Sequence, residues 1–240
     1  MKIKIFFKNL FKDSDWKMVV SILFATIIIF VYFYFGSFSA FEKFFPNVKD
    51  LAFWKIIYHN CMSFILFFVV GALFSRFALK NNGRKMGLGF GDYKLGLKLC
   101  GIALIIVPLV ALSTVLSPEM TSTYPLIDFQ AYGKWYYILG YFASYFLYYV
   151  GWEFLFRSLI LFQSEEKCGV LSAIVITTMI SALVHSSIAG FGKPMVETLS
   201  AIPAGLIFGY ITSRTKSIWY SLFIHMLVGF MTDMFIVLLV

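Results

Sequence analysis

The stretch WYYILGYFASYFLYYVGWEFLFRSLILF, residues 135–162, decides the kind of fold that this chain adopts. It is longer than the roughly 20 apolar residues that an α-helix needs to cross a bilayer, yet it contains the charged residues Glu153 and Arg157. A central charge costs about 2.5 to 3.5 kcal/mol on insertion scales, whereas one Leu or Phe returns only about 0.3 to 0.6 kcal/mol. Ionisable side chains at this depth therefore indicate a functional site.

The whole chain has the composition of a membrane protein. Of its 240 residues, 60% are hydrophobic, 20% are aromatic and 13% are charged, which excludes a soluble globular domain. Windows of about 20 apolar residues give seven candidate spans, at residues 18–39, 56–79, 97–117, 135–162, 169–188, 196–213 and 217–239. The sequence therefore predicts an all-α polytopic transmembrane helical bundle of about seven spans, in contact with the lipid bilayer.

Basic residues divide unevenly between alternate loops. Fourteen of the 20 Lys and Arg residues lie before the first span, or in or within four residues of the loops after the second, fourth and sixth, whereas five lie in the other loops. The positive-inside rule then places the amino terminus in the cytoplasm and the carboxyl terminus outside. The net charge of +8 follows from this topology, so it does not indicate a nucleic-acid partner.

Three segments differ in their residue pattern. Residues 1–17 alternate Lys with Phe, Ile and Leu and predict an interfacial amphipathic helix; the alternative is a basic flank that only sets orientation. Residues 18–133 hold three predicted peripheral transmembrane helices, of which the first two lack buried charge and could face lipid all round. Residues 134–240 are predicted to form the functional core, a four-helix bundle of spans 4–7.

Small and polar residues recur at helical spacing in the last three spans, which is how membrane helices pack closely. The stripes are Thr178, Ser181 and His185 in span five, Glu197, Ala201, Gly205 and Gly209 in span six, and Ser221, His225, Gly229, Thr232 and Asp233 in span seven. We expect Glu153, His185 and His225 to face inward. At about 1.5 Å per residue, Glu153 and His225 lie roughly 12 to 15 Å from the cytoplasmic surface. His185 lies near 24 Å, so we expect an elongated cavity or two layers of residues.

Each candidate residue also has a structural interpretation. Glu153 and Arg157 stand four residues apart and could form an ion pair that fixes helix packing. Glu197 would occupy the first turn of a helix, where the helix dipole favours an acid, and Asp233 could pair at the outer membrane surface. His59, which lies near the start of span two without a polar stripe, is interpreted as a hydrogen-bonded core histidine.

Three motifs follow one another between about residues 134 and 235. They are GWEFLFR at 151–157, ALVH at 182–185, and AGLIFGY at 204–210 with RTKSIW at 214–219 and then His225. In this order and spacing they resemble the CPBP family of intramembrane endopeptidases. That family comprises the CAAX prenyl proteases, the Abi proteins and the bacteriocin-processing proteins.

The chain departs from the usual family pattern at three positions. Trp152 stands where the first of two adjacent glutamates is usual, Ser181 where a Phe precedes the second-motif His, and Gly229 where an Asn follows the third-motif His. A branch of the family has this Trp-Glu form together with Lys-Pro-x-x-Glu and a late Asp. The residues that fit that branch are Lys193, Pro194, Glu197 and Asp233.

The resemblance implies an endopeptidase that hydrolyses peptide bonds of a membrane-associated protein or peptide, in a membrane that is expected to be bacterial. Its implied catalytic residues are Glu153, His185 and His225. A carboxylate, Glu153 or Glu197, would accept a proton from water, and the two histidines would polarise the scissile carbonyl and protonate the leaving amine. The supporting residues would be Arg157, Glu197 and Asp233.

A catalytic zinc is the alternative chemistry, with His185, His225 and Glu153 as the ligands of an open site. The sequence has no His-Glu-x-x-His motif, and its two candidate histidines lie forty residues apart. A mechanism without a cofactor is therefore preferred. The cysteines show no metal-ligand spacing and are given no role; they are Cys61, Cys100 and Cys168.

Two other functional classes stay open. A catalytically silent membrane scaffold, or a protein of the bacteriocin-immunity type, would keep the fold without the first glutamate. A proton-coupled transporter also uses buried acids and histidines, but it commonly has inverted repeats with matching Gly or Pro breaks. Pro108 and Pro203 do not match in that way. Cleavage of a substrate, or uptake driven by a proton gradient, would separate these classes.

Overall fold

The computed structural model describes residues 16–186 and 192–240. The helices are α1 (Trp16–Phe35), α2 (Phe38–Phe44), α3 (Leu51–Phe77), α4 (Tyr93–Thr114), α5 (Pro118–Thr123), α6 (Trp135–Glu153, Phe154–Ile160 and Leu161–Cys168 in succession), α7 (Val170–His185), α8 (Met195–Thr215) and α9 (Trp219–Leu239). No strand occurs among these described residues, so the predicted all-α bundle is confirmed. The amphipathic helix predicted for residues 1–17 lies almost wholly outside them.

Seven of these helices cover the seven predicted spans. Within the described ranges, five of them are long and apolar enough to cross a membrane; these are α1, α3, α4, α8 and α9. Helix α7 is apolar but has only 16 residues, and α6 carries the charged pair. The prediction of an integral membrane protein is confirmed, and the exact number of crossings stays a prediction.

The loops that carry most of the basic residues meet at one end of the bundle. The backbone N–H of Ile218 donates to the carbonyl of Gly87 at 3.0 Å, which joins the loop after α8 to the loop after α3. Lys216 forms an ion pair with Glu165 near the end of α6. The loops after α3, α6 and α8 therefore share one face, in accord with the alternation of charge in the sequence.

Glycine is required where the loop after α3 turns into α4. Gly91 has a positive φ of 50°, and a Cβ there would lie 1.8 Å from the carbonyl oxygen of Thr215. The next residue, Asp92, donates its backbone N–H to that same carbonyl at 2.9 Å. Its side chain then accepts the N–H of Leu95 at 3.0 Å and caps the helix.

The expectation that the first two spans face lipid all round is wrong for α3, because α3 packs along α6. A Cβ on Gly151 of α6 would lie 2.5 Å from the backbone oxygen of Ser63, so the two helices touch at backbone level. Asn60 donates to Ser144 at 3.0 Å. These polar contacts are buried. Helix α3 therefore packs against one side of α6, the helix that carries Glu153.

Helices α7 and α8 pack through the small residues that the sequence predicts for this purpose. A Cβ on Gly205 would meet the side chain of Thr178 at 2.8 Å, and one on Gly209 would meet Ile174 at 3.0 Å. Close approach of this kind fixes the rotation of α8 about its axis. As a result Phe208, between the two glycines, is buried and faces the centre of the bundle.

Candidate active site

Glu153 and His225 are in direct contact although 72 residues separate them in the chain. The His225 Nδ1 atom lies 2.7 Å from Glu153 Oε1, between helices α6 and α9. A carboxylate can only accept, so with an ionised Glu153 the Nδ1 atom carries the hydrogen. The Nε2 atom of His225, which has no hydrogen-bond partner among the described residues, is then free to accept or donate a proton.

The two members of this pair differ in their access to the surroundings. The side chain of Glu153 is 0% exposed, whereas that of His225 is 18% exposed. The imidazole lies between two aromatic rings, with centroid distances of 4.5 Å to Tyr149 and 4.9 Å to Phe208. Its orientation is therefore fixed by packing, and the imidazole rather than the carboxylate is the group that a substrate or a water molecule can reach.

Arg157 supplies the positive charge that accompanies the buried carboxylate. Its Nε atom lies 3.6 Å from Glu153 Oε2, and its side chain is 3% exposed. This distance is that of an ion pair rather than a hydrogen bond. The guanidinium also stands 5.7 Å from the centre of the Phe208 ring, within the range of a cation–π contact.

A π-helical segment, Phe154–Ile160, begins directly after Glu153 and contains Arg157. Such wide turns inside α-helices are often found at functional sites. All seven residues of the segment are buried. A second π-helical segment, Phe64–Val70, lies in the neighbouring α3, and the two pack together through Phe68 and Phe154 at a ring distance of 5.2 Å.

His185 lies outside this pair, in a second layer of polar residues. Its Nδ1 atom is 2.7 Å from the backbone oxygen of Ser181, which can only accept, so Nδ1 carries a hydrogen. Its ring meets the Trp152 ring edge to face at 4.8 Å. Within residues 16–186 and 192–240, no hydrogen bond or ion pair joins His185 to Glu153 or His225.

Glu197 belongs to the same second layer and has two polar partners. Lys193 Nζ lies 3.3 Å from its Oε1 atom, and the Tyr124 hydroxyl donates to its Oε2 atom at 2.7 Å. Tyr124 stands in the loop before α6, where burial raises the pKa of its phenol well above the usual value. The phenol therefore stays protonated and remains a donor to the carboxylate.

Asp233 is buried near the carboxyl-terminal end of α9 rather than at a surface. Its exposure is 1%, and its Oδ2 atom accepts a hydrogen bond from Tyr141 at 2.7 Å. The other oxygen, Oδ1, has no hydrogen-bond partner within the described residues. The expectation that Asp233 could pair at the membrane surface is therefore replaced by a buried pair with a tyrosine.

His59 forms a structural site of its own, as interpreted from the sequence. Its Nε2 atom lies 3.0 Å from the Tyr32 hydroxyl, and its Nδ1 atom lies 3.0 Å from the carbonyl of Gly36. Both ring nitrogens thus hold helices α1 and α3 together. The residue takes no part in the candidate site.

The geometry does not fit the zinc alternative. No group of three His, Cys, Asp or Glu side chains within the described ranges is placed to hold a metal ion. We therefore derive no metal-dependent step.

Tyrosines are the polar groups of the site that the sequence analysis missed. Tyr141, Tyr145 and Tyr149 stand four residues apart on α6 and lead up to Glu153. The Tyr149 hydroxyl donates to the Tyr145 hydroxyl at 3.1 Å. Their four-residue spacing places them on the same helix face as Glu153, and this spacing was a sequence signal for a polar stripe. The signal was missed because Tyr was counted with the apolar aromatic residues of a membrane span.

Together, the helical bundle and the buried carboxylate–imidazole pair define a polytopic membrane protein with an ionisable site between its helices. Residues 134–231 match the model of a family described as type II CAAX prenyl endopeptidase Rce1-like. This match confirms the resemblance to the CPBP family, and it covers Glu153, His185 and His225. Comparisons with curated proteins and with solved structures gave no match.

Proposed function

We propose that this chain is an intramembrane endopeptidase that hydrolyses a peptide bond of a membrane-associated protein or peptide. The observation that carries the proposal is the 2.7 Å contact between His225 and Glu153, two ionisable residues that meet between membrane helices. Placing ionisable side chains in a membrane costs free energy, so residues of this kind usually mark a functional site. The family match, with its type II CAAX prenyl endopeptidase description, supports the reaction class.

The proposed base is His225, with Glu153 as its orienting carboxylate. Neutral His225 keeps its hydrogen on Nδ1, facing Glu153, so its Nε2 lone pair can take a proton from water. The resulting hydroxide attacks the scissile carbonyl carbon, and a C–O bond forms. His225 then returns the proton to the amide nitrogen as the C–N bond breaks. Water is consumed, and no other reactant is needed.

Glu153 assists this cycle without touching water, because its side chain is 0% exposed. Its negative charge holds the His225 tautomer and stabilises the imidazolium that forms after proton transfer. Arg157, at 3.6 Å, supplies the positive charge that accompanies the carboxylate in the buried site. This assignment differs from the sequence-based expectation that a glutamate itself accepts the proton from water.

The second layer of polar residues has a supporting role in the proposed reaction. His185, Glu197 and Asp233 are buried or half-buried, but none forms a hydrogen bond or ion pair with Glu153 or His225 within the described part of the chain. We assign them to the path that the substrate takes or to its binding, and not to the reacting atoms. We also propose that the basic end of the bundle is cytoplasmic and that the membrane is bacterial.

The test uses purified protein in liposomes with a defined pair of probes. One is a farnesylated peptide that ends in Cys-aliphatic-aliphatic-X, the other is the same peptide without the lipid, and mass spectrometry locates the cleaved bond. His225→Gln and Glu153→Gln should each lose more than about 100-fold of the cleavage per folded molecule. The matched control is His59→Gln, which removes a buried histidine outside the site and should keep the specific activity.

The outcomes separate the candidate functions. Unchanged specific activity in His225→Gln would remove His225 from the reaction. Absence of cleavage by the wild-type protein with both probes, while the protein is folded and inserted, would favour the scaffold or immunity function instead.

A further inference from the structure

Helix α9 has a gap in its side chains one turn beyond His225. Gly229 stands four residues after the histidine, and a Cβ at this position would lie 2.3 Å from the Tyr149 hydroxyl and 2.6 Å from the Tyr145 hydroxyl. The space that a side chain of residue 229 would fill is therefore occupied by two phenol oxygens. They come from α6, the same helix that holds Glu153.

Two contacts between α6 and α9 repeat at a spacing of one helical turn. Glu153 meets His225 in the first, and Tyr149, four residues earlier on α6, meets Gly229 in the second. Residues four apart on a helix lie about 5 to 6 Å from one another on the same face. The Tyr149 hydroxyl is thus about one turn from the reacting imidazole, and its ring lies against that imidazole at 4.5 Å.

The two α9 residues in these contacts are more accessible than the two tyrosines. His225 and Gly229 are both partly exposed, whereas Tyr145 and Tyr149 are 6% and 5% exposed. A peptide that reaches His225 along this face of α9 meets no side chain at Gly229. The polar atoms nearest to the Cβ position of Gly229 are the two tyrosine hydroxyls.

We propose that the Tyr149 hydroxyl stabilises the negative charge that develops on the carbonyl oxygen of the scissile bond. This inference rests on the proposed endopeptidase function and adds a catalytic group to it. A hydroxyl hydrogen can rotate from Tyr145 toward the substrate oxygen, and Tyr145 can donate to Tyr149 in return. The donor is buried and already positioned, so it needs little reorganisation when the charge forms.

The first test is Tyr149→Phe, which removes one oxygen atom and keeps the ring that packs on His225. Loss of a donor of this kind typically lowers kcat by about 100-fold to 1,000-fold, and we expect this loss with KM changed less than about threefold. The matched control is Tyr148→Phe, the adjacent buried tyrosine, whose ring stacks on Trp152 and His59 instead. Its kcat should stay within about twofold of the wild-type value.

The second test restores a donor from the opposite helix. The triple variant Tyr145→Phe, Tyr149→Phe and Gly229→Asn removes both oxygens that would clash with a new side chain and supplies an amide N–H in the gap. After their removal the nearest remaining atom to a Cβ at residue 229 is the Cζ of residue 145 at 3.1 Å. We expect the triple variant to recover at least tenfold in kcat over Tyr145→Phe with Tyr149→Phe.

The results are distinguishable from failure of the proposed function. A wild-type enzyme that cleaves, loses activity with His225→Gln, and keeps its kcat with Tyr149→Phe would overturn the role of Tyr149 alone. Equal losses in Tyr149→Phe and Tyr148→Phe would also overturn it, because they would indicate a packing effect. A wild-type protein that cleaves neither probe would overturn both the function and the role.

Discussion

Replacing Arg157 by methionine tests whether the buried charges are balanced as the structure indicates. Two unit charges 3.6 Å apart interact by about 4.6 kcal/mol at an effective dielectric constant of about 20. Methionine fills much of the arginine volume but leaves Glu153, at 0% exposure, without its permanent counter-charge. Removing one partner of a buried pair typically destabilises a protein by about 3 to 5 kcal/mol. We expect a loss in this range for Arg157→Met.

The assay is the free energy of unfolding, measured by SDS titration of the protein in mixed micelles. Arg214→Met, at an exposed position in the last turn of α8, is the control and should change the value by less than about 0.5 kcal/mol. The double variant Glu153→Gln with Arg157→Met removes both charges and should regain most of the lost stability, but no cleavage. A loss below about 1 kcal/mol for Arg157→Met, or a double variant less stable than the single one, would refute the electrostatic reasoning.

Three other outcomes follow from the packing, the topology and the chemistry. Gly205→Leu forces a side chain against Thr178, so it should destabilise the protein by about 1 to 3 kcal/mol; Gly101→Leu, where a Cβ meets nothing within 4 Å, should be tolerated. Cysteines introduced at Arg84 and Lys134 in a background without the native cysteines should be labelled from opposite sides of the membrane, Arg84 from the cytoplasm; labelling of both from one side contradicts the topology. Cleavage should persist in the presence of metal chelators, since no three-ligand cluster is assembled in the described residues; activity lost to a chelator and restored by zinc would contradict the proposed mechanism.

Much of this arrangement could be predicted from the sequence because the bilayer makes hydrophobic length so informative. Every predicted span contains a helix, and the small-residue stripe of α8 packs on α7 at Gly205 and Gly209. Depth estimates from helix ends placed Glu153 and His225 at one level, and the two residues are in contact. They also placed His185 about two turns farther from the cytoplasmic surface, and this difference in depth stays a prediction.

The rest depended on contacts that periodicity does not encode. A stripe of residues shows which face of a helix points inward. It does not identify the side chain that the facing helix places against each of those residues. The edge-to-face contact of His185 with Trp152, at a ring distance of 4.8 Å, is of this kind. The π-helical turns after Glu153 and Ser63 have no sequence signal in their apolar runs, and the close contact of Gly151 with Ser63 made α3 a packing partner rather than a helix surrounded by lipid.

Trp152 has a consequence for the chemistry as well as for the packing. Its ring lies 4.8 Å from that of His185, so an acid at this position would stand beside a second imidazole, one residue from the first acid–imidazole pair. With tryptophan there, and 1% exposed, the site has one such pair.

One pair is sufficient for the proton balance of hydrolysis, because the proton that His225 takes from water is the proton that the leaving amine needs. What a single pair cannot supply is a donor for the carbonyl oxygen while its imidazole carries that proton. The Tyr149 hydroxyl beside Gly229 meets that requirement, and for this reason removing it should lower kcat rather than affinity.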